Sequence, residues 1–438
     1  MPTMRRYSMI SLALGAGATL VVLALVFAGA FDPVAEWLGG IYRSYGWGGS
    51  GEWVRYRWIE LPLLTLVALA VSFGIVESTR VVQKVLVAGL SITVVALLSP
   101  ALALYGILWE PVALLSATIL AAGGAFLFSR TGMGRRKRLL EEALGTRVSA
   151  TVFSNLLEDP VDPGFVGATR EVTTVVCRWF PPDESSAAQN PAEALKMASL
   201  FLRSVSSFML ARGAYLNETG SERVLASFGM LRNDEDHAER ACRAALDLRG
   251  RLRGLSREYE SRWYVPLRWG IGIGTGTMMV GLVGGPERFS FNGLGGEMDF
   301  ADRLALANRR LASDILLGPG SYRVVREKFA LRPLEMLYDP AKRSVVEIYQ
   351  LLSTLESLSE DEKAGKDWFW QGVIRLRERD FEGALDCFSR AKTVGVEDAP
   401  LDLLTGQAQE GIAVPESRPG RIIRNFADET QIRPISRL

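Results

Sequence analysis

Few side chains in this sequence could carry chemistry. One His and three Cys occur in 438 residues. That excludes a mechanism built on several histidines and leaves little material for a zinc site or a disulfide framework. His237 opens a helical pattern, DEDHAERA, and reads as a structural residue rather than a general base. Cys177, Cys242 and Cys387 are isolated and read as free thiols. Residues 270–276, GIGIGTG, space their glycines as G-x-G-x-G. No acidic residue follows in a βαβ context, so the run does not read as a dinucleotide site but as a tight strand-to-strand turn. Lys and Arg total 50 against 49 Asp and Glu, so no whole-chain field favours nucleic acid, and no nucleic-acid partner is expected.

Hydrophobic residues make up 48% of the chain and charged residues 23%. The apolar excess lies in the first 130 residues. Residues 9–30 carry no charge, and ~20 apolar residues cross the ~30 Å hydrocarbon core of a bilayer. Three further spans are predicted near 60–77, 85–105 and 108–129, which argues against a cleaved signal peptide. Glu77 and Glu110 sit near span ends, where they can reach the interface, so they suggest an anchor rather than a transporter. Arg5 and Arg6 precede the first span, Arg80 and Lys84 separate the second from the third, and Arg130 with the run 135–138 follows the fourth. The positive-inside rule then places both termini in the cytoplasm. The loop 31–59, with Trp37, Trp47, Trp53 and Trp58, reads as an aromatic belt along the interface. The basic run also suits anionic lipid, although a plain topology signal explains it equally well.

Beyond the membrane, 139–160 has apolar residues at helical spacing and reads as a helix stopped by Pro160 and Pro163. Residues 170–180 read as a buried strand, 191–212 as an amphipathic helix, and 213–229 as two strands joined at Thr219–Gly220–Ser221. A helix over 237–255, a strand–turn–strand over 267–284, a turn and helix over 291–309 and a strand over 345–352 complete an α+β pattern.

The blocks REVTTVV, GAYLNETGSERVLASFG, DEDHAERACRAAL, LRWGIGIGTGTMMVGLVG and RFSFNGLGGEMDFADRL, in that order, resemble the homology domain of class III adenylate and guanylate cyclases. The resemblance covers about 150–352. It implies a ferredoxin-like α+β domain that dimerises, with nucleotide sites in the dimer interface. It also implies two magnesium ions, held by two Asp carboxylates, that activate the ribose 3′-hydroxyl toward the α-phosphate.

Carried onto this chain, the resemblance is incomplete. Arg178 stands where the first metal Asp belongs, and a guanidinium repels a cation. Glu222 stands at the second metal position and Glu218 at the purine-selecting Lys. Asn292 replaces the purine-partner Asp, Asp299 replaces the ribose-orienting Asn, and Arg303 keeps the transition-state Arg position. An ion pair between Arg178 and Glu222 would replace the metal cluster. No cofactor is then expected, with Mg or Mn only if the domain is active.

Residues 368–391 place Trp368, Gly372, Ala384, Phe388 and Ala391 at the spacing of a tetratricopeptide repeat, with 399–411 as a capping helix. One repeat does not stand alone, so it docks on the cyclase-like domain or on a protein partner. The expected organisation is a four-span region over 1–130, a linker helix over 131–163, the cyclase-like domain over 164–354, the helical segment over 360–412, and a flexible tail over 413–438. The leading expectation is a multi-pass membrane protein of a bacterial inner membrane. Its cyclase-like domain would act as a homodimeric regulatory or scaffold module without catalysis. An active cyclase using ATP or GTP and a nucleotide-binding sensor, with Arg178 and Arg303 on a triphosphate, are the alternatives.

Overall fold

A computed structural model describes residues 2–46, 57–78, 81–105, 107, 111–158, 163–181, 190–285, 288–339, 343–392, 397–413 and 423–425. The chain divides into two compact units, Met1–Gly145 with Ala150–Val161, and Thr146–Ser149 with Asp162–Leu438.

The first unit is helical: α1 (Pro2–Phe27), α2 (Asp32–Ser44), α3 (Arg57–Glu77), α4 (Val81–Ala103), α5 (Pro111–Arg130), α6 (Gly132–Leu144) and α7 (Ala150–Glu158). Tyr7–Phe27, Trp58–Glu77, Val81–Ala103 and Pro111–Arg130 are long and apolar enough to cross a membrane. Their contacts use small residues, since Ala18, Ala68, Ala113, Ala117 and Ala121 share one buried cluster. Small side chains let helix backbones approach closely. The Ser72 hydroxyl donates to the Ser11 carbonyl at 2.7 Å, tying α3 to α1. Part of the aromatic loop is helix α2, with Tyr42 buried on Ser99 at 3.0 Å and Trp37 exposed. Residues 47–56, Arg80 and Glu110 lie outside the described residues. The helix expected over 139–160 is two helices, because Gly145 takes φ +50° and caps α6 through the Glu141 carbonyl.

The second unit is a sheet covered on both faces. Its strands are β1 (Ala168–Phe180), β2 (Tyr215–Thr219), β3 (Arg223–Phe228), β4 (Arg268–Gly285), β5 (Arg288–Leu294), β6 (Ile315–Leu317), β7 (Phe329–Asp339), β8 (Ser344–Thr354) and β9 (Ile423–Asn425). They pair in the order β2-β3-β1-β4-β6-β8-β7-β9, with β5 added to β4. The helices are α8 (Pro191–Ala211), α9 (His237–Trp263), α10 (Gly296–Leu311), α11 (Pro319–Val325), α12 (Glu360–Arg377), α13 (Phe381–Ala391) and α14 (Ala399–Ala413). Successive strand residues point to opposite faces. Val175, Cys177 and Trp179 therefore meet α8 and α9 in one core, while Val176 meets Ala301 and Ala305 of α10 on the other face. By length and composition α8 could also cross a membrane, but Met197, Phe201, Val205 and Met209 bury it on the sheet.

The strand–turn–strand expected over 267–284 is one continuous strand, β4. Its glycines at 270, 272, 274 and 276 share a face, and α10 lies on them: a Cβ on Gly274 would meet the Glu297 carbonyl oxygen at 2.8 Å, and one on Gly270 would meet Asn308 Cβ at 2.8 Å. Glycine at every second residue of a strand clears one face for a close backbone. Asn308 Nδ2 donates to the Ile271 carbonyl at 2.9 Å and fixes the crossing.

α12, α13 and α14 dock on this same domain. Phe369, Val373, Ala384, Phe388, Leu401 and Leu404 share a core with Leu316, Leu334, Leu337 and Ile348. A Cβ on Gly372 would fall 2.5 Å from the Phe388 ring, so the close pair α12–α13 requires a glycine there. Of the expected tail, Ile423–Asn425 pairs parallel with β7, and residues 414–422 and 426–438 lie outside the described residues.

His237 is buried at the start of α9, and its Nδ1 lies 2.8 Å from Thr173 Oγ1. Burial holds the imidazole below its ordinary pKa, against the opposing pull of Glu171 and Asp234. The unfolded chain therefore binds more protons in mild acid than the folded one. The contribution of His237 to stability is complete above about pH 6.5 and falls as pH drops from there through the depressed folded value. Unfolding free energies measured at steps between about pH 5 and 7 are expected to show a shallower slope for His237→Asn than for the wild type. Equal slopes would remove His237 as the source.

Candidate functional site

Two like charges face each other across neighbouring strands. Arg178 of β1 pairs in register with Arg223 of β3. Both continue the face on which Val176 and Leu225 pack under α10. Like charges directly opposite on a sheet destabilise it. The helix resolves the conflict: Met298 packs on the apolar part of that face, and Asp302, one turn later, reaches the two guanidiniums.

The Arg178–Asp302 pair is bidentate, Nε to Oδ1 at 2.8 Å and Nη2 to Oδ2 at 3.1 Å. Arg223 Nη1 donates to Asp302 Oδ2 at 2.5 Å, and its Nη2 donates to Glu218 Oε2 at 2.9 Å. The fork of a guanidinium matches a carboxylate in this way, and such paired bonds are the strong charge-assisted kind. Arg178 and Asp302 are 17% and 15% exposed, so solvent screens them little. Burial alone would lower the Arg223 pKa, but Asp302 and Glu218 outweigh it and hold the guanidinium above its ordinary value.

The expected Arg178–Glu222 ion pair is present only as a longer contact of 3.6 Å, with Glu222 49% exposed. The main partner of Arg178 is Asp302, a residue that the sequence did not single out. The signal was there in part: two arginines on one face of adjacent strands require a carboxylate, but only the placement of α10 says which one.

The other expected positions do not join this cluster. Arg303, the next residue on α10, points elsewhere and pairs with the fully buried Asp339 at the end of β7, Nη1 to Oδ1 at 3.2 Å. Asn292 on β5 accepts from its own neighbour, the Gly293 amide, at 2.9 Å. Asp299 is exposed in the first turn of α10. Arg178, Glu218 and Glu222 are thus brought together, while Asn292, Asp299 and Arg303 are not among their contacts.

The donor set does not fit a pair of magnesium ions within this chain. Asp302, Glu218 and Glu222 each face a guanidinium, and a divalent cation placed among them would lie beside Arg178 and Arg223. Among the described residues no three His, Cys, Asp or Glu groups converge. The thiols offer no alternative: burial pushes Cys177 and Cys242 far above the ordinary thiol pKa, with Glu239 adding to the effect at Cys242.

Comparison with known proteins gives a consistent but distant picture. No family model matches the chain. It is 24% identical over 215 residues to adenylate cyclase 1 of Rhizobium meliloti (strain 1021), covering 48% of this chain and 32% of that protein. The chain therefore spans about a third of the length of that curated relative. Solved structures similar to it include the guanylyl cyclase Cya2, with TM-score 0.40 and 19% identity over 44% of this chain and 97% of that one. The adenylyl cyclase CyaB from P. aeruginosa matches with TM-score 0.38 and 20% identity, over 44% and 99%. A bacterial light-regulated adenylyl cyclase matches with TM-score 0.40 and 17% identity, over 53% and 65%. The chain is similar, at low identity, to adenylate and guanylate cyclases.

Proposed function

We propose that this chain is a membrane-anchored signalling protein whose cyclase-like domain has given up catalysis and acts as a regulatory or scaffold module. The bidentate Arg178–Asp302 pair carries the reading. It occupies the position where the resemblance requires a metal-binding carboxylate, and it converts a cation site into an internal salt bridge. Arg303, the one position kept, supports the same reading, since its guanidinium is engaged by Asp339. These two ion pairs also occupy the arginines on which a nucleotide-sensing alternative depends.

In this reading the four apolar helices of the first unit anchor the chain with both termini on the cytoplasmic side. The domain pairs with a second copy of itself. The exposed side of the 368–391 hairpin is the surface left for a protein partner, because Phe369, Val373, Ala384 and Phe388 are already buried on the sheet.

The test is a cyclase assay on the purified full chain with ATP and GTP, in Mg²⁺ and in Mn²⁺, beside Glu222→Ala. No cyclic nucleotide is expected from a folded sample in any of these conditions. Product formation that disappears in Glu222→Ala would overturn the proposal and establish a rebuilt metal site.

A further inference from the structure

The first unit contains a cavity of about 390 Å³, within the ~300–1,000 Å³ range of small-molecule sites. It is walled by the Lys84 end of α4, the end of α5 and the start of α6. Lys84, Arg135, Lys137 and Arg138 line it together with apolar groups such as Val76 and Phe126. Basic groups over an apolar wall at the end of spanning helices match the two halves of a phospholipid, a phosphate and its acyl chains.

The cations are not equally satisfied. Lys137 binds Glu77 at 3.0 Å, and Arg138 binds Glu142 at 2.8 Å. Lys84 Nζ donates to the Ser129 hydroxyl at 2.7 Å, and among the described residues it makes no ion pair with a carboxylate. A half-buried ammonium beside other cations is stabilised by an anion that enters the cavity. Glu141 also lines the space, and burial raises its carboxyl pKa against the lowering pull of Lys137.

We infer that this cavity is a binding site for the phosphate headgroup of an anionic phospholipid in the cytoplasmic leaflet, with Lys84 as the principal phosphate contact. The inference rests on the membrane reading above. It gives the basic run 135–138 a task beyond setting topology, because Arg135, Lys137 and Arg138 surround the same space as a lysine more than fifty residues earlier in the chain.

The test uses the full chain, purified in detergent and stripped of lipid, and titrated with short-chain phosphatidylglycerol, short-chain phosphatidylcholine and glycerol phosphate. Phosphatidylglycerol is expected to bind most tightly. Lys84→Gln and Arg135→Gln are each expected to weaken it about fivefold, from ~1 kcal/mol per basic residue near an anionic surface. Lys363→Gln, in the second unit, is expected to change nothing. Equal affinity for the two lipids would overturn the inference, as would wild-type affinity in both cavity variants. Glycerol phosphate binding as tightly as the lipid would assign the site to a soluble anion instead. Flotation of the protein with neutral vesicles tests the anchor separately. Flotation without headgroup preference removes only the lipid site, whereas failure to float removes the membrane reading beneath it.

Discussion

Asp302→Ala is expected to lower the unfolding free energy of the second unit by about 3–5 kcal/mol, the usual cost of removing one partner from a buried ion pair. The loss is large because two cations depend on this carboxylate. Arg178 and Arg223 lie in register on adjacent strands and both donate to it. Without it they repel each other, and Arg178, 17% exposed, is left with the longer contact to Glu222. Glu222→Ala is the informative comparison. Glu222 is 49% exposed and 3.6 Å from Arg178, so its loss is expected to cost under about 1 kcal/mol. Salt should separate the two further, since an exposed pair is screened and a buried one much less. The measurement is urea unfolding of both single variants and of each combined with Arg178→Ala. The coupling of Arg178 to Asp302 is expected to exceed its coupling to Glu222. Equal couplings would return Glu222 to the place that sequence reasoning assigned it, as a partner of Arg178 equal to Asp302.

The difference between Glu222 and Asp302 marks how far the sequence can be read. The long apolar helices of the first unit are legible because each is apolar along its whole length, whatever its neighbours are. The β2–β3 hairpin is legible because Thr219–Gly220–Ser221 is a local turn, and it joins Tyr215–Thr219 to Arg223–Phe228 as expected. β7 is not. Pro333 lies inside it, and register shifts at Ala330/Leu331 and Pro333/Glu335 break the alternation that would have revealed a strand. The partner of Arg303 was lost with it, because Asp339 is the last residue of that strand. Arg178 was visible as a foreign charge at a recognisable position. What holds it depends on where α10 crosses the sheet, which no local pattern states.

That crossing is set by the glycines of β4, and Gly272→Ala is the sharpest way to disturb it. A Cβ at Gly272 would overlap the Ala301 carbonyl oxygen, lie 2.5 Å from the Ala305 amide nitrogen and 2.9 Å from Leu304 Cβ. Two of these three atoms belong to the helix backbone, so no side-chain rotation relieves the contact. Overpacking of a core costs about 1–3 kcal/mol where neighbours can yield, and more where they cannot. An effect at or above the top of that range is expected here. Gly285→Ala is the control, because a Cβ there meets nothing within 4 Å on the same strand. It should cost little. Gly272→Ala should also act on the charged cluster, since lifting α10 carries Asp302 away from Arg178 and Arg223. Combined with Asp302→Ala, the glycine variant is therefore expected to cost less than the two separate losses added together. Strict additivity would mean that the helix shifts without disturbing the ion pairs, and that the glycine face and the Arg178 cluster are independent features of the fold.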